Sequence, residues 1–333
     1  MNVKVFRTVS QIVFLALMTY VAVSHQIDKQ GVPPVDALCP FGGLASLYKI
    51  VTSHEHLMRT NVSNIVLLAG LLIAALVVGK SFCSWICPFG TIQEWLGNLG
   101  RKLFGRNFRL PEAIDRTLSY LKYVVLILVL AFTWYTGDLV FHHYDPWVAY
   151  AHLYNGVTAV FSEFPVGLSL LALTFLLAVF TDRPWCRYAC PLGAVLEILG
   201  RFGVVRLKRN EDICVNCDLC RDACARGLKE HDPYCDSCAD CVKACPLPGA
   251  IGFTWGRKAV SPIMVGVLTL GILLGSYAFA KTAGIWNTKG SCTLDEGKVS
   301  LVLPATELLP QVNSRSGSDY SGQADVDLTI YKE

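Results

Sequence analysis

Charge is scarce in this chain. Only 17% of its 333 residues are Asp, Glu, Lys or Arg, while 53% are hydrophobic. Soluble domains carry about 25% charged residues, so an ordinary soluble globule is excluded and a membrane protein is indicated. The formal net charge of +3 is too small to argue for a nucleic-acid partner. There is no phosphate-binding glycine loop, no Ser-His-Asp set and no zinc-protease motif, so nucleotide, serine-hydrolase and metalloprotease chemistry have no residues to carry them.

Cysteine, by contrast, is plentiful: there are fourteen. Eight of them lie between Cys214 and Cys245. They read C-x2-C-x2-C-x3-C, ten residues, then C-x2-C-x2-C-x3-C-P. This is the run of a bacterial two-cluster ferredoxin, in which the fourth cysteine of each run ligates the other cluster. Cys214, Cys217, Cys220 and Cys245 are expected to hold one [4Fe-4S] cube. Cys235, Cys238, Cys241 and Cys224 are expected to hold the second. Zinc also uses C-x2-C pairs, but it has no use for a third cysteine and a crossed fourth. Two features depart from the usual run: Ala225 follows the first fourth cysteine where proline is common, and the ten-residue insert is short. A secreted disulfide scaffold is disfavoured, because cluster thiolates must stay reduced and belong in the cytoplasm.

Five apolar stretches approach the roughly 17–25 residues that cross a bilayer. They are Val9–Ser24, Val62–Gly79, Leu118–Thr136, Phe164–Thr181 and Ala259–Ala280. Lys4 and Arg7 before the first also fit a signal peptide. No clear small-x-small cleavage site follows, which favours an uncleaved anchor. Lysine and arginine cluster before the first stretch, between the second and third, and after the fourth, whereas the 26–61 and 137–163 loops are poor in them. The positive-inside rule therefore puts the N-terminus, the 80–117 loop and the ferredoxin run in the cytoplasm and the tail outside. The expected architecture is an all-α polytopic membrane protein of about five spans in two repeated halves, with a small cytoplasmic α+β two-cluster ferredoxin domain. Its expected parts are an anchor (1–26), a repeated membrane domain (27–205), the ferredoxin (206–257), a last span (258–281) and an outer tail (282–333).

The repeat shows in the motifs. One apolar stretch ends in Cys83-Ser84-Trp85-Ile86-Cys87-Pro88-Phe89-Gly90, and another in Cys186-Arg187-Tyr188-Ala189-Cys190-Pro191-Leu192-Gly193. C-x3-C on a helix puts two thiols on one face, and the following proline suits a helix boundary. Cys83, Cys87, Cys186 and Cys190 are expected to hold iron–sulfur, as one shared cube or as one cluster per half. Cys39, before Pro40, is the weakest ligand candidate, because Asp145 stands in its place in the second half. Cys292, in the outer tail, is expected to be structural or lipid-exposed.

These residues carry a family resemblance. The paired Cys83-x3-Cys87-Pro88 and Cys186-x3-Cys190-Pro191 motifs, with the ferredoxin runs Cys214–Cys224 and Cys235–Cys245, resemble the membrane polyferredoxins related to accessory proteins of periplasmic nitrate reductase and nitrous-oxide reductase. The likeness covers roughly residues 9–253. It implies electron transfer between cytoplasmic or quinone donors and a redox partner at or across the membrane, within a larger membrane complex or with an outer-face reductase. The chain departs from the relatives that carry an outer flavin-binding or immunoglobulin-like domain, and its fifth span departs from a four-span type. The alternative is a maturation reductase that supplies electrons while another metalloenzyme assembles.

Other features admit plainer readings. His54, His56, His142, His143 and His152 fall in the two outer loops, not in spans facing one another as a bis-histidine haem requires. His142, His143 and Asp145 beside apolar surface suit a quinol site, or they are polar residues at the membrane interface beside Trp134, Tyr144 and Trp147. Gly271 and Gly275, with Gly266 nearby, suit close helix packing with a partner. Residues 301–309 suit a strand. The hydrocarbon core is about 30 Å thick, too far for one electron hop, so a conduit needs several stations.

Overall fold

The computed structural model describes residues 3–27, 42–43, 47, 62–105, 110–136, 140–224, 235–256, 258–283, 291–295 and 298–302. Cys39, His54 and His56 lie outside the described residues, as does the His142 side chain. The chain divides into two units, Met1–Leu303 and Pro304–Glu333. The second lies wholly outside the described residues, and with it most of the strand expected over 301–309.

The described chain is mostly helical, with a small sheet. Its first half runs α1 (Val3–Ile27), α2 (Val62–Val78), α3 (Phe82–Trp85) and α4 (Pro88–Phe104). Then come α5 (Glu112–Ser119), α6 (Leu121–Thr136), α7 (Pro146–His152), α8 (Val157–Glu163), α9 (Pro165–Phe180), α10 (Pro184–Tyr188) and α11 (Pro191–Gly200). The ferredoxin run follows as β1 (Val205–Arg209), α12 (Leu219–Ala223), α13 (Asp240–Ala244), β2 (Ile251–Trp255) and β3 (Lys258–Val260). The last helix is α14 (Pro262–Thr282), and β4 (Ser291–Asp295) pairs antiparallel with β5 (Lys298–Val302).

Three helices are long and apolar enough to cross a membrane: Val3–His25, Ala113–Thr136 and Pro262–Thr282. A fourth exists if α8 and α9, bent by 118°, make one span. The remaining apolar stretch is the shorter helix Asn64–Val78. Each of the five expected stretches is thus largely helical, the last after two residues of β3, but length and composition give three to four spans.

Proline sets many of the helix starts. Pro88, Pro146, Pro165, Pro184, Pro191 and Pro262 stand in the first turns of α4, α7, α9, α10, α11 and α14. There the missing N–H costs nothing, because no intrahelical acceptor awaits it. Inside lipid, helices gain from close fit and small residues more than from expelling water. Gly266 of α14 shows this: a Cβ there would come within 2.4 Å of the Trp85 ring. Trp85 itself is fully buried, in a cluster with Leu71, Ala75, Ile86, Leu196 and Leu273.

The sheet is antiparallel in the order β1-β2-β3, with Leu207 opposite Phe253 and Phe253 opposite Val260. Its inner face joins the helices. Val205 and Phe253 are buried with Val78 at the end of α2, Val265 in α14 and Ala239 in the second cysteine loop. The ferredoxin portion is therefore seated on the ends of α2 and α14.

Candidate iron–sulfur sites

The two C-x3-C-P motifs fold alike and break in the middle. Cys83 lies in α3 and Cys186 in α10, whereas Cys87 and Cys190 are the residues before α4 and α11. Their backbones are extended in ψ, 115° at Cys87 and 114° at Cys190. This corrects the expectation of one helix carrying both thiols. The cause is the following proline, whose ring disfavours helical geometry in the residue before it. In both motifs the second cysteine's N–H reaches back five residues, to the Phe82 carbonyl at 3.0 Å and the Trp185 carbonyl at 2.9 Å. Gly90 and Gly193 keep both turns tight, since a Cβ at either would press on the first cysteine's carbonyl, at 2.6 and 3.1 Å.

The four thiols lie within electrostatic reach of one another. Burial pushes Cys83 up to about 12, and Cys186 adds to the rise. Burial, then Cys186 and Cys83, pushes both Cys87 and Cys190 well up. Gln93 donates to the Cys186 sulfur at 3.5 Å, and the Gly193 N–H donates to the Cys190 sulfur at 3.3 Å. Cys83 and Cys186 are buried and Cys87 and Cys190 half-buried, so the thiols are more enclosed than the sequence suggests.

The ferredoxin cysteines lie on two loops with matched backbones. Asn216 and Asp218 flank Cys217 with φ of 53° and 56°, and Ser237 and Ala239 flank Cys238 with φ of 54° and 68°. Left-handed φ is unfavourable for residues with a Cβ. Such turns aim successive N–H groups into a concavity that suits an anionic iron–sulfur cluster. The crossed grouping has electrostatic neighbours to match. Cys220 is pushed up by burial and also by Cys214 and Cys245; Cys241 is pushed up to about 12 by burial and also by Cys235 and Cys224. Cys224, Cys235, Cys238 and Cys241 line one cavity of about 310 Å³, which Cys220, Glu94 and Arg183 also border. Among the described residues no three His, Cys, Asp or Glu side chains stand close enough to clasp a single metal ion. A cube spreads its thiolates around four irons, a wider grouping than one ion's shell. Left-handed nests, a thiol-lined cavity and clustered buried thiols fit such a group.

The second loop is bolted to α1 and α3, which sequence spacing does not reveal. Ser84 Oγ donates to the Asp236 carbonyl at 2.6 Å, and Trp85 Nε1 to the Ser237 carbonyl at 3.1 Å. Arg7 Nη1 donates to the Cys238 carbonyl at 2.6 Å and pairs with Asp240 at 3.2 Å. Arg7 also pairs with Glu94 at 2.6 Å, and Gln11 donates to both Glu94 and the Ser84 carbonyl. Helix α1, long and apolar enough to cross a membrane, is thus also part of the site. Glu94 is caught between opposing effects. Burial raises its carboxyl, but Arg183 and Arg7 outweigh that and hold it below its usual range.

Beside the first C-x3-C-P turn, where Phe89 packs with Val148 and Phe164, Asp145 accepts from the Trp147 N–H at 2.9 Å and caps α7. His143 and His152 both lie against the Phe164 ring, at 5.5 and 5.0 Å between centroids. Gly271 and Gly275 have open space around them, whereas Gly266 is used internally.

A family model described as a 4Fe-4S binding domain matches twice, at residues 60–107 and 163–210. Each stretch holds one C-x3-C-P motif, and neither reaches Cys214. YccM of Escherichia coli strain K12, named as a candidate electron transport protein, is 28% identical over 320 residues, 86% of this chain and 87% of its own. An uncharacterised protein of Methanocaldococcus jannaschii is 34% identical over 197 residues, 56% of this chain and 77% of its own. The regulatory protein NosR of Stutzerimonas stutzeri is 28% identical over 166 residues, 48% of this chain and 22% of its own. No solved structure matches. The chain belongs to the membrane polyferredoxin family, whose relatives include YccM, NosR and the ferredoxin-type protein NapH.

Proposed function

We propose that this protein is a membrane-bound iron–sulfur relay that exchanges electrons between a donor on the cytoplasmic side and a redox partner at or across the membrane. The observation that carries the reading is the seating of the Cys235–Cys238 loop on the C-x3-C-P turns, through Ser84, Trp85 and Arg7. A relay needs its stations adjacent and fixed, and these bonds fix two cysteine sets side by side. The clusters, when bound, supply one-electron chemistry at potentials set by hydrogen bonding, charge and exposure.

In this reading Cys214, Cys217, Cys220 and Cys245 hold the outer station, with Cys217 exposed where a soluble partner can approach. Cys224, Cys235, Cys238 and Cys241 hold the inner one. Cys83, Cys87, Cys186 and Cys190 hold a third, shared between two halves related by the 60–107 and 163–210 matches. The ferredoxin portion (206–257) and the N-terminus face the cytoplasm, the membrane part runs through 27–205 and 258–281, and residues 282–333 lie outside. His143 and His152 beside Phe164, in the cluster that packs on Phe89 and Cys87, offer a place for a quinone ring.

Counting iron and labile sulfide in anaerobically purified protein tests this directly. Three cubes give about 12 of each, and two give about eight. Cys83→Ser with Cys186→Ser is expected to remove one EPR signal and about four irons while the ferredoxin signals remain. Full iron and an unchanged spectrum in that variant would refute the membrane station.

A further inference from the structure

Two basic residues are buried at the junction between the cysteine sets. Lys80 and Arg183 each stand three residues before the first cysteine of a C-x3-C-P motif, and both are buried. Glu94 and Glu197 each stand seven residues after the second cysteine, and each cation crosses to the glutamate of the other half. Arg183 pairs with Glu94, and Lys80 Nζ lies 3.7 Å from Glu197, which also binds Lys122. The crossing follows the family matches, whose second copy is displaced by 103 residues at both bounds (163 less 60, 210 less 107).

Both cations then meet on one carboxylate. Lys80 Nζ lies 3.6 Å from Asp236 Oδ1, and Arg183 Nη1 lies 3.5 Å from Asp236 Oδ2. Asp236 sits directly after Cys235, on the loop that crowns the two motifs. Arg183 also donates to the Cys83 carbonyl at 3.0 Å, again crossing between halves. To do so it holds φ at 49° immediately before Pro184. Among the described residues only five with a side chain beyond glycine have positive φ, and the other four flank the ferredoxin cysteines. Strain of this kind persists where surrounding structure imposes it, commonly at functional sites. Stability alone does not call for this arrangement, since buried ion pairs are often replaceable by apolar side chains without loss.

We propose that Lys80 and Arg183 are positioning residues that clamp Asp236, hold the Cys235–Cys238 loop over the C-x3-C-P turns, and raise the reduction potential of the cluster this loop carries. The proposal rests on the relay reading above and adds to it the groups that align two of its stations and tune one of them. A positive charge favours the more negative, reduced form of a cluster. Through an effective dielectric of about 20, one charge within about 10 Å is worth on the order of tenfold in an equilibrium.

The test is an EPR-monitored redox titration of the full chain, purified anaerobically with its clusters. In Lys80→Met the reduced-to-oxidised ratio of the Cys235-loop cluster at fixed potential is expected to fall about tenfold, equivalent to about 59 mV for one electron. Lys80→Arg is expected to stay within about twofold of the parent, and so is the Cys214-loop cluster in every variant. A fall under threefold, an equal fall in both ferredoxin clusters, or an equal fall in Lys80→Arg would overturn the proposal. If Lys80→Met does not assemble, Lys80→Met with Asp236→Asn removes both charges of that pair, while Glu197 keeps Lys122 and Arg183 keeps Glu94. Amide exchange at residues 235–240 is then expected to speed at least tenfold, and unchanged exchange overturns the clamp. A parent protein with about eight irons and no third signal denies the membrane station instead, while the Cys235-loop titration still judges the clamp.

Discussion

The Cys214–Cys224 and Cys235–Cys245 loops have the same cysteine spacing and the same left-handed turns, yet opposite surroundings. Val215 is 67% exposed and Cys217 is exposed, whereas Asp236 is 8% and Ala239 5% exposed. The backbone cannot explain this, because φ is nearly equal at matched positions. The side chains between the cysteines explain it. Val215, Asn216 and Asp218 in one loop are replaced by Asp236, Ser237 and Ala239 in the other. Asp236 answers Lys80 and Arg183, Ser237 Oγ reaches the Val78 carbonyl at 3.4 Å, and Ala239 is small enough to pack with Val78 and Val265. Cysteine spacing suits both loops to a cluster. The residues in between decide whether a loop meets solvent or the C-x3-C-P turns.

The strongest way to break this contrast is to exchange the loops' matched residues. Ala239→Asp puts the residue of position 218 into the buried seat. Its backbone cost is small, since aspartate tolerates left-handed φ better than alanine. Its burial cost is large: an uncompensated buried carboxylate destabilises by about 3–5 kcal/mol. The expected result is loss of about four irons and a lower melting temperature. The mirror change Asp218→Ala, on the exposed loop, buries no charge and is expected to cost only the left-handed backbone, about 1 kcal/mol, with no loss of iron. Thermal melts and iron analysis of the two variants side by side check this, and equal effects would erase the distinction between the loops.

Much of the site is legible along the chain because it is written in local spacing. The cysteine runs, the prolines that start α4 and α11, and the apolar helices all depend on residues within a turn or two of one another. What is not legible is the seating. Ser84 meets Asp236 across 152 positions, and Arg7 meets Cys238 across 231. Arg7 and Arg183 read as orientation markers at span ends, because basic residues there serve that purpose in membrane proteins. Both are buried and bonded to the site instead. The signal that marks the second was available: Lys80 and Arg183 recur at the same place before each motif, as Glu94 and Glu197 recur after it. The helix break inside each C-x3-C was available too, since proline restricts the residue before it.

A smaller effect sharpens the contrast at a single bond. Trp85→Phe keeps most of the ring but removes the Nε1 donor to the Ser237 carbonyl. A buried acceptor left without its donor costs about 1–3 kcal/mol. The expected outcome is faster amide exchange around Cys238 and unchanged exchange around Cys217, measured on the same sample.

The smallest effect appears only in acid. Glu94 sits under the second loop and links Arg7 to Arg183. Its folded carboxyl lies below the ordinary 4.5, since Arg183 and Arg7 overcome the opposing effect of burial. A depressed folded value means that the unfolded chain binds the proton first as pH falls. The stabilisation is therefore complete above about 4.5, declines below it, and is gone once pH has passed the folded value. Comparing melting temperatures of the parent and Glu94→Gln from pH 6 downward cancels the acid lability that all iron–sulfur proteins share. The parent's advantage is expected to be steady near neutrality and to shrink below about pH 4.5. An advantage that persists undiminished in acid would mean that Glu94 supports the second loop by shape and hydrogen bonding, not by charge.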